Sequence, residues 1–431
     1  VTIFLLVVTS LVSRVCASVT TPDVTPTHQQ KVYEEHTVQV LKRIETSSTF
    51  GALYDTIEQI PAIKQSIEKS IRIMLADAED AVLAAHAVQQ FATIATSHGE
   101  VTNTSTERNT LQGIQDGDRR FQQLSECIEL CVTAMRIADL ARYTWGLTVL
   151  DIRDDERFAR VIQEYARRVD QHKDEEKNNK LSMVEIATMI WTVGCVKDIG
   201  SPSNVTFVKE AAICLSHDLC RNENSTMPIR LSIRMLWSLA AHGVFVQPLS
   251  DRCLMSCIKE PAILSPTNAV TLLWCLAEFR YLNVPIAVGL IDRIVAHVNT
   301  TDYREGTAQT TDAGKKFELL QSQLFDSLRS ISDMAKERVV DGEAFYAPTS
   351  DTSTTTSASS YLLVERIQAL ISLLLPRAMT QIPTSSVSLA SSVLRSVAAI
   401  NIEVIPMSTQ EGVLKACFDR AAAALSSEAV R

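Results

Sequence analysis

The chain has 431 residues, of which 46% are hydrophobic and 21% charged, with only 13 Gly and 13 Pro. That composition excludes collagen-like, mucin-like and wholly disordered classes, and scarce glycine beside abundant Ala, Leu, Ile and Val points to helices. A formal charge of −9 supplies no global positive field for nucleic acid or an anionic membrane, so any phosphate contact has to be local.

Residues Thr2 to Val12 are almost continuously apolar, and Val15-Cys16-Ala17 ahead of Ser18 fits a small-residue cleavage rule. Residues 1–17 therefore resemble a secretory signal peptide, too short to span a bilayer. Without a visible basic n-region, an upstream extension is the competing reading. Residues 18–30, rich in Thr and Pro, are expected to be a disordered linker. An N-terminal helical region is expected over 31–135, where Ala76 to Thr96 and Asp118 to Met135 read as a hairpin around a polar linker. Ser66-Ile67-Glu68-Lys69 matches the SxxK motif in form and reads as the solvated face of an amphipathic helix.

The span 136–300 carries a repeat anchored by all four tryptophans. DLARYTWGLTVL, EIATMIWTVGCV, SIRMLWSLAAHG and AVTLLWCLAEFR align on Trp145, Trp191, Trp237 and Trp274, at spacings of 46, 46 and 37 residues. An aliphatic residue lies two positions later in each (Leu147, Val193, Leu239, Leu276), and in the last three a small one follows (Gly194, Ala240, Ala277). Pro202, Pro248 and Pro285 each lie eleven residues beyond their tryptophan. The spacing predicts helical hairpins. The first helix carries the tryptophan in an apolar stripe such as Ile233, Leu236, Trp237 and Ala240, and a proline sits in the opening turn of the second, where its missing N–H removes no intrahelical bond. Second helices are expected over Asp155 to His172, Pro202 to Leu219, Pro248 to Glu260 and Pro285 to Val298. Asp154 and Asp155 stand in for the proline of the first. One hairpin cannot bury its own apolar face, so hairpins must stack, with indoles expected to fill the seam.

The pattern lapses over 301–385, where Phe317 to Val339 and Tyr361 to Ala378 look helical around a low-complexity insertion, 348–360. They read as one diverged unit. Over 386–431 the spacing returns as a C-terminal hairpin, with Arg395 in the tryptophan slot, Val397 and Ala398 behind it, and Pro406 opening a second helix to Leu425.

Catalytic, cofactor and metal residues are all expected to be absent. Cys127 with Cys131, and Cys253 with Cys257, are four apart on helices, but neither pair has partners at zinc-ligand spacing, and His217 and Cys220 near Cys214 read as ordinary core or surface residues. Cys127, Cys131, Cys195, Cys214, Cys253, Cys257, Cys275 and Cys417 look like small core side chains. Of the four sequons at Asn103, Asn204, Asn224 and Asn299, none is informative alone. No GxSxG, GxGxxG or Walker-type loop occurs. Within 181–300, nine Lys and Arg balance nine Asp and Glu, and Arg142, Arg234 and Arg280 need not line a single groove.

VEIATMIWTVG, LSIRMLWSLAAHG and TNAVTLLWCLAEF resemble the first helix of octotricopeptide-type repeats and of the related helical repeats that precede the RAP domain. The resemblance covers roughly Asp139 to Val298, with an echo at Leu389 to Pro406, and does not extend to a RAP domain. It implies an α-solenoid that binds organellar RNA, in a mitochondrion or plastid, and acts in transcript processing, stability, translation or ribosome assembly. The reading is an all-α solenoid of about six hairpins, non-enzymatic, with single-stranded or ribosomal RNA as leading partner and no membrane or small-molecule substrate. No residue is singled out for RNA contact. The alternative is a protein–protein scaffold without RNA contact, and the opening segment leaves the secretory route as the alternative location.

Overall fold

The computed structural model describes residues 28–69, 76–98, 112–115, 117–152, 155–173, 181–196, 201–221, 227–259, 264–300, 323–335, 362–375 and 387–399, with isolated positions between 412 and 419. Every regular element among the described residues is a helix, and no strand occurs there. The helices are α1 (His28–Thr46), α2 (Phe50–Ile57), α3 (Pro61–Lys69), α4 (Ala78–His98) and α5 (Arg119–Cys131). There follow α6 (Ile137–Val149), α7 (Asp155–Lys173), α8 (Met183–Cys195), α9 (Pro202–Arg221), α10 (Ile229–Ala241), α11 (Gln247–Lys259), α12 (Pro266–Glu278) and α13 (Val284–Thr300). Last come α14 (323–335), α15 (362–375) and α16 (Val387–Ala399). The targeting-like segment, most of the proposed linker, the low-complexity insertion and most of the second C-terminal helix lie outside the described residues. No described helix is long and apolar enough to cross a membrane.

Local chemistry sets the helix starts. Ser182 opens α8 with a reciprocal capping box to Glu185, Ser265 caps α12 ahead of Pro266, and Asp118 accepts from the amides of Arg120 and Phe121 at α5. Pro202 begins α9, while Pro248 and Pro285 stand second in α11 and α13, as the spacing predicts. The first helices stop through a feature that the sequence reading lacked. Six residues after Trp145, Trp237 and Trp274, the backbone turns left-handed at Asp151 (φ 59), Gly243 (φ 63) and Arg280 (φ 48). The next amide then reaches back five residues, Ile152 to Leu147, Val244 to Leu239 and Tyr281 to Leu276, at 3.0, 2.9 and 3.1 Å. This is one helix-terminating motif used three times.

The helices pair and stack in order. The first helices α4, α6, α8, α10 and α12 each touch the next, as do the second helices α7, α9, α11 and α13, and each first helix touches the second helix that follows it. Beyond Thr300 the alternation continues: Arg366 of α15 reaches Asp292 of α13 at 3.6 Å, and Ser396 of α16 donates to the Phe325 carbonyl of α14 at 2.8 Å. Helices α14 and α15 therefore occupy the places of a first and a second helix. The described residues hold five such hairpins, α4–α5 through α12–α13, and α14, α15 and α16 continue the order beyond them.

The indoles do not fill the seam. Trp145, Trp191, Trp237 and Trp274 are each only partly buried, whereas the residues immediately before and after them are buried (Thr144 and Gly146, Ile190 and Thr192, Leu236 and Ser238, Leu273 and Cys275). The helical period explains the correction. The slot shares its face with positions seven before, three before and four after it, the partly exposed face of each first helix, so the indoles lie at the rim of the packing, with Trp145, Trp237 and Trp274 against the edge of the core. Close approach instead relies on small residues one and three positions after the slot. A Cβ on Gly146 would stand 2.7 Å from Val88 Cγ1 and 2.9 Å from the Val88 carbonyl, and one on Gly194 would fall on the Ser238 hydroxyl. That hydroxyl donates to the Ile190 carbonyl at 2.6 Å, the same bond that Ser396 makes to Phe325.

These equivalences place slots where no tryptophan marks them. Val88 takes the position of Ile190, so Gln89 is the slot of α4, followed by buried Phe91, an aromatic where the other units have an aliphatic, and small Ala92. Phe325 makes Asp326 the slot of α14. Arg395 of α16 pairs with Asp326 at 3.2 Å, slot to slot.

Candidate functional site

The slot face is the broadest feature that recurs from unit to unit. On α6, α8, α10 and α12 the four positions seven before, three before, at and four after the slot are all at least partly exposed. At three before stand Arg142, Thr188, Arg234 and Thr271, and at seven before Ala138, Val184, Arg230 and Thr267. Four after the slot come Val149, Cys195, Ala241 and Glu278. Arg142 and Arg234 thus share one row, which the sequence reading left open, while Arg280 lies in the turn after α12. Units interlock along this face: the Arg234 guanidinium lies 4.6 Å from the centre of the Trp191 ring, a cation–π contact, and Ser392, also three before its slot, donates to Asp326 at 2.7 Å.

At its N-terminal end the face carries a polar knot. Asp139 is fully buried and binds Arg136 at 2.8 Å and Arg142, with His86 Nε2 at 3.9 Å, while His86 Nδ1 stands 3.6 Å from Glu45. Burial, reinforced by the Arg142 charge, holds the imidazole down at about 3. A ring so reluctant to take a proton is a poor general base near neutral pH. Burial also raises the Glu45 carboxyl.

Basic side chains on the second helices are committed to structure. Arg168 donates to the Met135 carbonyl at 2.7 Å, Arg252 to Leu219 at 2.6 Å and Arg293 to Leu264 at 2.9 Å, each tying a second helix to the chain near the end of the one before it. Arg157 and Arg160 share Glu129 at 2.9 and 2.8 Å.

Among the described residues one group has metal-ligand types in reach of each other: His172, Cys214 and Asp218, with donor atoms all within 4.8 Å. Its hydrogen bonds argue against an ion. The Leu181 amide donates to His172 Nδ1 at 3.0 Å, so the ring proton of neutral His172 sits on Nε2, where it donates to Asp218 at 2.9 Å. Neither nitrogen is left for a metal, and His172 with Asp218 fastens α7 to α9 and to the entry of α8. The helical cysteine pairs are buried, Cys131 donating to the Ala76 and Asp77 carbonyls; burial pushes Cys253 and Cys257 up to about 12 and, with nearby carboxylates, Cys127 higher still, so they remain neutral thiols. All nine described cysteines are free, eight of them wholly or partly buried and Cys220 exposed. Of the sequon asparagines, Asn204 is 4% exposed and closed to modification.

The SxxK serine corrects its reading. Ser66 is 2% exposed and accepts a hydrogen bond from Gln123 at 2.8 Å, because it falls three residues after Ile63 on the face of α3 that packs on α5. The slot face itself was half legible, through its tryptophans; the exposed threonines and arginines that share it follow from the 3.6-residue period.

No protein-family model matches the chain, and no curated protein sequence matches it.

Proposed function

We propose that the chain is a non-enzymatic helical-repeat protein, an α-solenoid that lays single-stranded RNA along the slot face of its first helices. The observation carrying this reading is the row of four partly exposed indoles at one-unit intervals. Aromatic faces accept any base by stacking, and Arg230 and Arg234 in the same stripe supply local positive charge on an otherwise acidic chain, while Arg142 is paired with buried Asp139. The resemblance to octotricopeptide-like repeats extends the proposal to organellar RNA, in a mitochondrion or plastid, and to transcript processing, stability, translation or ribosome assembly. Crosslinking and sequencing of bound RNA, with affinity measured against salt, tests it. Salt-sensitive binding is the expected result, and absent or salt-independent binding rejects phosphate-assisted recognition.

A second reading, a scaffold for a protein partner, is favoured by Arg168, Arg252 and Arg293, whose charges are spent on backbone carbonyls, together with the net charge of −9. Under that reading the same indoles are apolar anchors for a peptide or helix. Retention of a protein from an extract treated with ribonuclease, with no crosslinked RNA, supports it over the first.

A further inference from the structure

The turns that end α10 and α12 carry a second aromatic group. Phe245, eight residues after Trp237, is 38% exposed. Its ring lies 5.2 Å from Phe279 and 5.0 Å from Tyr281, tilted 41° and 37°, so one exposed ring is braced by two partly buried ones from the next unit. The Tyr281 hydroxyl donates to Asp251 at 2.6 Å, which fixes the platform.

Between Phe279 and Tyr281 sits Arg280. Its backbone is left-handed, at the position where the preceding unit has Gly243 and where an L side chain is disfavoured. The helix-ending turn needs no side chain there. Arg280 is exposed, and no ion pair or hydrogen bond of its guanidinium occurs among the described residues, although Glu278 is exposed two positions earlier. Most other arginines on the described helices are engaged with carboxylates, carbonyls or an indole. Glutamine and asparagine amides lie close by in sequence, at Gln247 and Asn283. A cation held at an unfavourable backbone position beside an exposed, braced aromatic ring suits a ligand that is both flat and anionic.

We propose that Phe245, Phe279, Arg280 and Tyr281 form a seat for one unstacked nucleotide of single-stranded RNA, with the base on Phe245 and an adjacent phosphate at Arg280. The seat rests on the RNA reading above and adds to it a contact at the turn edge. Stacking on one aromatic ring and one phosphate contact set the size of the effect.

Fluorescein-labelled oligouridylate titrated against the full chain at several salt concentrations tests the seat, using wild type, Arg280→Gly and Phe245→Ala. Arg280→Gly suits the left-handed turn, so its thermal midpoint does not fall. It is nevertheless expected to weaken binding and to lower the slope of log affinity on log salt by about 0.7. Phe245→Ala is expected to weaken binding roughly tenfold, in the range of one lost stacking contact. If wild type binds while Arg280→Gly keeps both its affinity and its salt slope, the seat is overturned and the slot-face reading stands. No binding by wild type overturns both.

Discussion

The α8–α10 step and the α14–α16 step show one stacking geometry with two side-chain chemistries. In both, a serine after the slot of the later helix donates to the carbonyl before the slot of the earlier one, Ser238 to Ile190 and Ser396 to Phe325. In the first, an indole and a guanidinium meet over the slot; in the second, Asp326 and Arg395 do. The slot residue is therefore not what holds the units together. The seam is set by the buried pair flanking the slot and by small residues that let two backbones approach, which leaves the slot partly exposed at the rim.

Enlarging the small residue should break this arrangement most severely. Gly146→Val drives a branched side chain into Val88 Cγ1 and its carbonyl, so a loss of about 3 kcal/mol is expected in urea unfolding, whereas Trp191→Ala at the rim costs about 1–2 kcal/mol, less than a fully buried aromatic. Equal losses would put the indole back in the seam.

Acidification sharpens the contrast at the N-terminal end. His86 is held at about 3 in the folded chain against 6.5 when unfolded, so between those values the unfolded state takes a proton that the folded state refuses. Its contribution to stability is intact above 6.5 and falls away as pH drops toward 3. Glu45, Asp139, Arg136 and Arg142 surround the ring, and Asp139 keeps both arginines when it is replaced. His86→Leu should therefore flatten the pH dependence of the urea midpoint across this window relative to wild type, and an unchanged dependence would contradict the buried neutral ring.

A smaller effect is expected in the C-terminal step. The Arg395–Asp326 pair has side chains 54% and 34% exposed, where ion pairs are worth about 0–1 kcal/mol. Arg395→Gln should cost no more than that, and the difference from wild type should vanish in molar salt. Asp151→Gly, at a left-handed position already used by Gly243, should change stability least, with a gain of a few tenths up to about 1 kcal/mol.

Much of this fold was legible because two independent markers, an indole and a proline eleven residues later, bracket three of the hairpins, and α9, α11 and α13 begin within a residue of the expected starts. What was misread is the direction of the tryptophans. An aromatic in an apolar run looks like core, and only the burial of Gly146, Thr192, Ser238 and Cys275 shows that the packed face is centred elsewhere. The α4 and α14 units were harder to see because Gln89 and Asp326 occupy their slots, and a polar slot carries no hydrophobic signal. The Phe245–Arg280 seat was also hidden, since it joins residues of two units across turns and depends on a left-handed backbone at an arginine. His172, Cys214 and Asp218 lie on two helices, and only the hydrogen bonds of His172 to Asp218 and Leu181 reveal a fastening in place of a metal site.

Since all four tryptophans of the chain lie on the slot face, tryptophan emission excited at the red edge, where the eight tyrosines do not absorb, reports on that surface. Titrating oligouridylate while following this emission is the most direct test of the proposed binding face. The account predicts saturable quenching that weakens as salt rises. Emission unchanged at concentrations where RNA is bound, or no binding at low salt, would contradict it.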